Sequence, residues 1–305
     1  MTLLEAILLT VITASTPLVI AAVGELVVER SGVVNLGVEG MMIMGAACGF
    51  ATAILTGSTL LGVLAALAAG VAMSLIFAFL TLGLAANQVA SGLALTIFGL
   101  GLSGLIGASF IGAKREAMPK LDLPVLTDIP FVGPILFGQD PFVYLSIALV
   151  VAVWWFITRT RAGLVLRACG ENHASAHALG YPVLKIRLLA IMFGGACAGV
   201  AGAYLSLAYT PFWSPGMTAG RGWIALAIVV FASWLPWRLL IGAYLFGGVT
   251  ILQLHAQGMG VRIPSQLLSA LPYLVTIIAL VVITRGRGGR HTAPASLGSP
   301  FVPDR

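Results

Sequence analysis

The sequence predicts an all-α fold, a polytopic transmembrane helical bundle of about 8–10 spans. Three observations predict it. Of the 305 residues, 59% are hydrophobic and only 9% charged, against roughly 25% charged in soluble domains, and the mean hydropathy is +1.06. Apolar runs long enough to span a bilayer recur along the chain. The basic residues gather at the ends of those runs, as the positive-inside rule expects, and not on one face. The net charge of +6 therefore reports orientation among membrane lipids, and no nucleic-acid partner is expected.

A span needs about 20 mainly apolar residues, which gives nine candidates: 3–23, 40–56, 59–83, 89–111, 141–158, 188–208, 222–236, 239–257 and 265–284. The first begins with Glu5 where a cleaved signal would carry a basic region, so it reads as a retained span. Between it and the second lies Gly24 to Gly40, GELVVERSGVVNLGVEG, with four glycines, Asn35 and the charges Glu25, Glu29, Arg30 and Glu39. A charge at the bilayer centre costs about 2.5–3.5 kcal/mol on insertion scales. This segment must lie at the interface or be buried in protein, and its glycines permit a broken helix.

Ala66, Gly70 and Ser74 in the third span, and Gly195, Gly199 and Ala203 in the sixth, recur every four residues and allow close helix contact in lipid. The fourth span opens with Asn87, Gln88 and Ser91. Such polar groups face protein or a cavity, because lipid offers no hydrogen bonds. With Asn35 and Glu39 they form the candidate solute pathway, which suits a small polar solute; the other reading is hydrogen bonding between helices. Residues 112–139 carry four prolines that resist a continuous helix, and read either as an ordered external loop or as a passive connector. Arg221 opens the seventh span, either as an interfacial anchor or facing a solute vestibule. Cys48, Cys169 and Cys197 have neither metal-ligand spacing nor an even count, so no metal site or disulfide framework is expected.

The longest polar interruption, 159–187, carries five of the sixteen Lys and Arg residues, which puts it in the cytoplasm with the C-terminus. Within it Asn172 can cap a short helix from His173 to Leu179, with Gly180 just past its end and Pro182 beyond. So short a helix is unstable alone and must be held by the rest of the chain or by a partner. The chain divides into a transmembrane domain, 1–284, and a tail, 285–305, whose composition predicts disorder in the cytoplasm.

Five stretches in order, GELVVERSGVVNLGVEGMM, ANQVASGLALTIF, RACGENHASAHALGYPVLKIRLLAIMFGGACAGVAGA, TAGRGWIALAIVVFASW and IPSQLLSALPYLVT, resemble the membrane permeases of ATP-binding-cassette importers. The group is the one that includes ribose, branched-chain amino acid and nucleoside permeases, and the match is best to the shorter permease of nucleoside importers. The resemblance implies a multi-pass permease in a bacterial-type cell membrane, moving a nucleoside or simple sugar inward. It implies a cytoplasmic ABC ATPase, an extracytoplasmic solute-binding protein and a second, longer permease as partners. It also makes Gly170, Glu171, Asn172, Ala176 and Gly180 the coupling surface on which the ATPase docks. Two positions depart from the family pattern: His173 stands where Pro is usual, and Tyr181 where an aliphatic residue is usual.

The chain has no G-x-x-x-x-G-K-[ST] phosphate loop, so no cofactor is expected on it and ATP is used by the partner. Neither H-E-x-x-H nor G-x-S-x-G occurs, and no catalytic residue is assigned. A permease for branched-chain amino acids is the near alternative. An ion-coupled secondary transporter is the alternative of another class, but spans three to nine hold no carboxylate to couple an ion.

Overall fold

A computed structural model describes residues 3–121, 127, 129, 132–258, 267, 270, 274, 277, 278, 281 and 293–303. Among the described residues, seven helices are long and apolar enough to cross a membrane, so the chain is the polytopic helical bundle that its composition predicts. In chain order the helices are α1 (Leu3–Arg30), α2 (Val38–Thr56), α3 (Thr59–Ala78), α4 (Gln88–Gly107), α5 (Val132–Phe137), α6 (Pro141–Arg159), α7 (Arg161–Glu171), α8 (His173–Ala178), α9 (Val183–Tyr204), α10 (Arg221–Phe231) and α11 (Pro236–Gly258). Single π-helical turns, Phe79–Gly83 and Leu205–Tyr209, extend α3 and α9. The expected ninth span, 265–284, lies outside the described residues apart from single positions.

Local chemistry sets the starts. Ser58, Asn87, Asp140, Thr160 and Asn172 each cap the helix that follows, their side-chain oxygens accepting from a backbone N–H of its first turn. Helix α9 sits at the centre, packed against α1, α2 and α3; α4 lies on α2, while α10 and α11 lie on α1. The best apolar windows of α2 and α9 are 78% and 72% buried, whereas those of α3, α4, α6 and α11 are 33% buried and turn most of their surface outward. The small-residue repeats carry the α3–α9 contact. A Cβ at Gly199 would run into the Ala66 carbonyl and one at Gly70 into the Gly195 carbonyl, so the two backbones touch with no room for a side chain.

Two features depart from nine continuous spans. Helix α10 is 11 residues long, roughly 16 Å, about half of a bilayer's hydrocarbon core. The expected span 222–236 is thus a half-helix that ends in a turn at Ala232–Leu235. The charged segment 24–40 is split: residues 24–30 continue α1, and 31–37 run non-helically through the bundle, with five of the seven buried. At the end of the bundle away from α8, residues 112–121 are ordered. Arg115 donates to the carbonyls of Ala53 (2.7 Å) and Gly57 (3.1 Å) and to Thr59 Oγ1 (2.8 Å), and Lys114 forms a bridge with Phe212.

At the α8 end, the disorder expected of the tail does not hold for residues 293–303. They fold onto α7 and α8, with Pro294, Ser296 and Phe301 buried. Composition alone misreads this stretch because its fixing groups are backbone donors and one aromatic ring.

Candidate functional site

Three charged residues of 24–40, Glu29, Arg30 and Glu39, hold α10. Glu39 accepts from Thr218 Oγ1 (2.6 Å) and from the backbone N–H groups of Gly220 (2.8 Å) and Gly222 (2.6 Å), so one carboxylate caps the N-terminus of the half-helix. At its other end Trp234 Nε1 donates to Glu29 Oε2 (2.5 Å), and Arg30 donates to the Trp234 carbonyl (2.8 Å). Ser233 and Trp234 both have positive φ, 52° and 55°, a conformation that non-glycine residues adopt only under constraint. The Glu29 and Arg30 bonds supply that constraint.

The five residues of the candidate pathway part company. Gln88 Oε1 accepts from Val34 N (2.8 Å), and Asn35 Oδ1 accepts from Gly37 N (3.0 Å); both side chains support the non-helical segment. Glu39 caps α10. Ser91 is buried at 8% exposure, next to Gly92, whose missing side chain lets 36–37 approach. Asn87 is exposed and caps α4 through Ala90 N (2.9 Å).

None of the five lines the cavity of about 320 Å³ between α1, α10 and α11. That cavity is lined by Tyr209, Arg221, Thr250 and Gln253 with apolar Leu18 and Phe246. The Arg221 guanidinium lies 5.8 Å from the Tyr209 ring centroid and donates to the carbonyls of Met217 (3.0 Å) and Thr218 (3.3 Å). Arg221 thus lines a cavity while its guanidinium holds the turn before α10. Tyr209, at the end of its π turn, and Thr250, inside α11, carry no signal in the sequence beyond being polar groups.

At the other end stands the segment expected to couple to an ATPase. Asn172 Oδ1 accepts from Ser175 N (2.9 Å), and Gly180, at φ 87°, closes α8 by donating to His177 O (2.8 Å). Helix α7, the 11-residue helix just before it, is hidden from a hydropathy reading because its pattern is amphipathic and short. Gly170 sits where a Cβ would strike the Arg30 carbonyl, and Ala176 is 2% exposed, facing Cys169, Val183 and Phe301. Glu171, Asn172 and Gly180 are exposed, as is Leu179 at 77%.

Beneath α8 lies Arg187, wholly buried. It donates from Nε to Ser31 O (3.1 Å) and from Nη1 to Ser299 O (3.1 Å), and its Nη2 lies 3.3 Å from His173 Nδ1. A guanidinium only donates, so Nδ1 accepts and the imidazole is neutral. Burial, and then the Arg187 charge, hold the His173 pKa below its ordinary 6.5. His173, the departure from family pattern, is therefore tied into the buried arginine.

Comparison with known proteins agrees with this architecture. A Haloferax volcanii protein provisionally named as a glucose ABC transporter permease is 41% identical, with 93% of each chain covered. A guanosine ABC transporter permease protein of Bacillus subtilis is 33% identical over 94% of this chain and 93% of its own. A nucleoside ABC transporter permease protein of Lactococcus lactis is 31% identical over 98% and 97%. The family described as the permease component of the branched-chain amino acid transport system matches residues 7–280. With its membrane-length helices and a match that runs through nearly all of them, the chain belongs to that family of transport permeases.

Proposed function

We propose that the chain is the translocating permease subunit of an ATP-driven ABC importer that brings a nucleoside or simple sugar into the cytoplasm. The observation that carries this is the match over 7–280 together with full-length relatives named for glucose, guanosine and nucleosides. The Arg221 cavity supports it: a face of Tyr209 suits a base or sugar ring, and Thr250, Gln253 and Arg221 suit hydroxyls and carbonyls. A cytoplasmic ATPase docks on the exposed face of α8, an extracytoplasmic solute-binding protein delivers the solute, and a second, longer permease completes the pathway. The basic residues Arg159, Arg161, Arg167, Lys185 and Arg187 support a cytoplasmic side for α7, α8 and the C-terminus. No step of the chemistry of ATP falls to this chain.

The second reading, a branched-chain amino acid, takes its support from the family's own description and from Arg221, whose charge suits a carboxylate. Ligand binding by the solute-binding protein of the same importer separates the two: an amino acid bound in place of nucleoside or sugar overturns the first. Arg221→Met should raise KM for uptake about tenfold, the loss of one charge-assisted hydrogen bond, with the chain's membrane level unchanged. Coupling is tested at Gly180, whose positive φ proline cannot adopt. Gly180→Pro in the complete importer should abolish ATP-driven uptake while leaving the chain inserted.

A further inference from the structure

The C-terminal stretch 293–303 is fastened to the coupling segment by directed bonds, not by apolar contact alone. Helix α7 stops at Glu171, which leaves its last carbonyls without intrahelical partners. The tail supplies donors for them: Ser296 N to Gly170 O (2.9 Å) and Ser296 Oγ to Glu171 O (3.2 Å), with Ala295 N donating to Glu171 Oε2 (3.3 Å). Farther on, Gly298 N donates to Gly32 O (3.1 Å), beyond the end of α1, and Ser299 O takes the bond from Arg187 Nη1 at the start of α9. The chain then places the Phe301 ring against two residues of α8, its centroid 5.1 Å from that of His173 and 5.3 Å from that of His177. Phe301 completes a small core with Cys169, Ala176 and Val183.

We propose that residues 293–303 are a strap that positions the coupling helix for its ATPase, with Phe301 as the positioning residue. This rests on the coupling reading of Gly170–Gly180. A six-residue helix cannot hold itself, and a docking helix that tilts under load delivers no motion to the bundle. Without the strap, the His173 and His177 side of α8 would lose its aromatic support, and the α7 carbonyls their donors. With it, α8 is tied at once to α7, to the turn after α1 and to the start of α9. The family's usual Pro would stiffen the first turn of α8 through its fixed φ. Here His173 has no such constraint, and its stiffness comes from the Phe301 ring and the Arg187 bond.

The test uses the complete importer, ATPase and all subunits, in proteoliposomes with its solute-binding protein. Three variants are compared: Phe301→Ala, Phe301→Tyr, and a chain ending at Thr292. Solute moved per ATP hydrolysed and the amount of ATPase retained on the permease are the readouts. The strap predicts that Phe301→Ala and the truncation lower the transport-to-hydrolysis ratio about tenfold, that Phe301→Tyr restores it, and that a synthetic peptide of residues 290–305 rescues the truncated chain. Wild-type ratio and retention in Phe301→Ala and in the truncated chain overturn the proposal. So does a fall in uptake matched by loss of the chain from the membrane, which would make Phe301 a folding residue only. Gly180→Pro separates the levels: if it too transports normally, the coupling reading has failed; if it alone uncouples, only the strap has.

Discussion

Glu39 distinguishes a pathway residue from a scaffold residue, and the structure makes it scaffold. In Glu39→Gln the amide keeps one acceptor oxygen and turns the other position into an NH₂ that faces an N–H or hydroxyl donor. Of the three bonds, from Thr218 Oγ1, Gly220 N and Gly222 N, one or two are lost and a donor–donor conflict is added. Hydrogen bonds to a charged group contribute about 1.5–3 kcal/mol each, so the loss should be about 3–5 kcal/mol. At about 2 °C per kcal/mol for a chain of this size, Tm should fall by roughly 6–10 °C. The assay is thermal unfolding of the detergent-purified permease beside solute uptake at a permissive temperature. KM at that temperature should stay within about twofold, a shift of ~0.4 kcal/mol. An unchanged Tm with a large rise in KM would refute the capping role and return Glu39 to the solute pathway.

Three further outcomes follow from the packing. Gly199→Val, at the α3–α9 contact, should destabilise by about 1–3 kcal/mol or more because neither backbone can yield; the same unfolding assay reads it. Asn172→Ala should cost about 1 kcal/mol of cap and about fivefold in coupled uptake, with Asn172→Ser recovering most of it. The His173 pKa is lowered, so the unfolded chain binds the proton more readily than the folded one. The stability it contributes is complete above pH about 6.5 and is lost as pH falls from there through the lowered folded value. His173→Gln should flatten that part of the Tm–pH curve.

What the chain tells in advance and what it withholds divide along range. The cap at Asn172 and the turn at Gly180 were legible because their partners lie within eight residues, and the four-residue repeats of Gly70 and Gly199 because helical geometry alone puts them on one face. Burial of the charges in 24–40 was foreseeable from the cost of leaving them in lipid. Their partners were not, since Glu39 meets Gly222 across 183 positions and Glu29 meets Trp234 across 205. The half-length of α10 was hidden by hydropathy, which scores the apolar turn after Phe231 as more helix. Composition hides the order of the tail because its holding power lies in the positions of the Ser296 and Gly298 amides, and composition does not report positions.

Helix α10 has a mechanical consequence. Its two ends are pinned by residues only ten apart in sequence, Glu29 and Glu39, joined by the non-helical stretch that runs alongside. Helix and stretch form a closed loop of bonds, like a rod between two bearings. One bearing is the turn after α1, at Arg30 to Gly32, on which α7 rests through Gly170. The other is Gly220 to Gly222, which carries Arg221 into the cavity. The two bearings stand roughly 16 Å apart, the length of α10, so the turn after α1 and the Arg221 side of the cavity belong to one bonded unit.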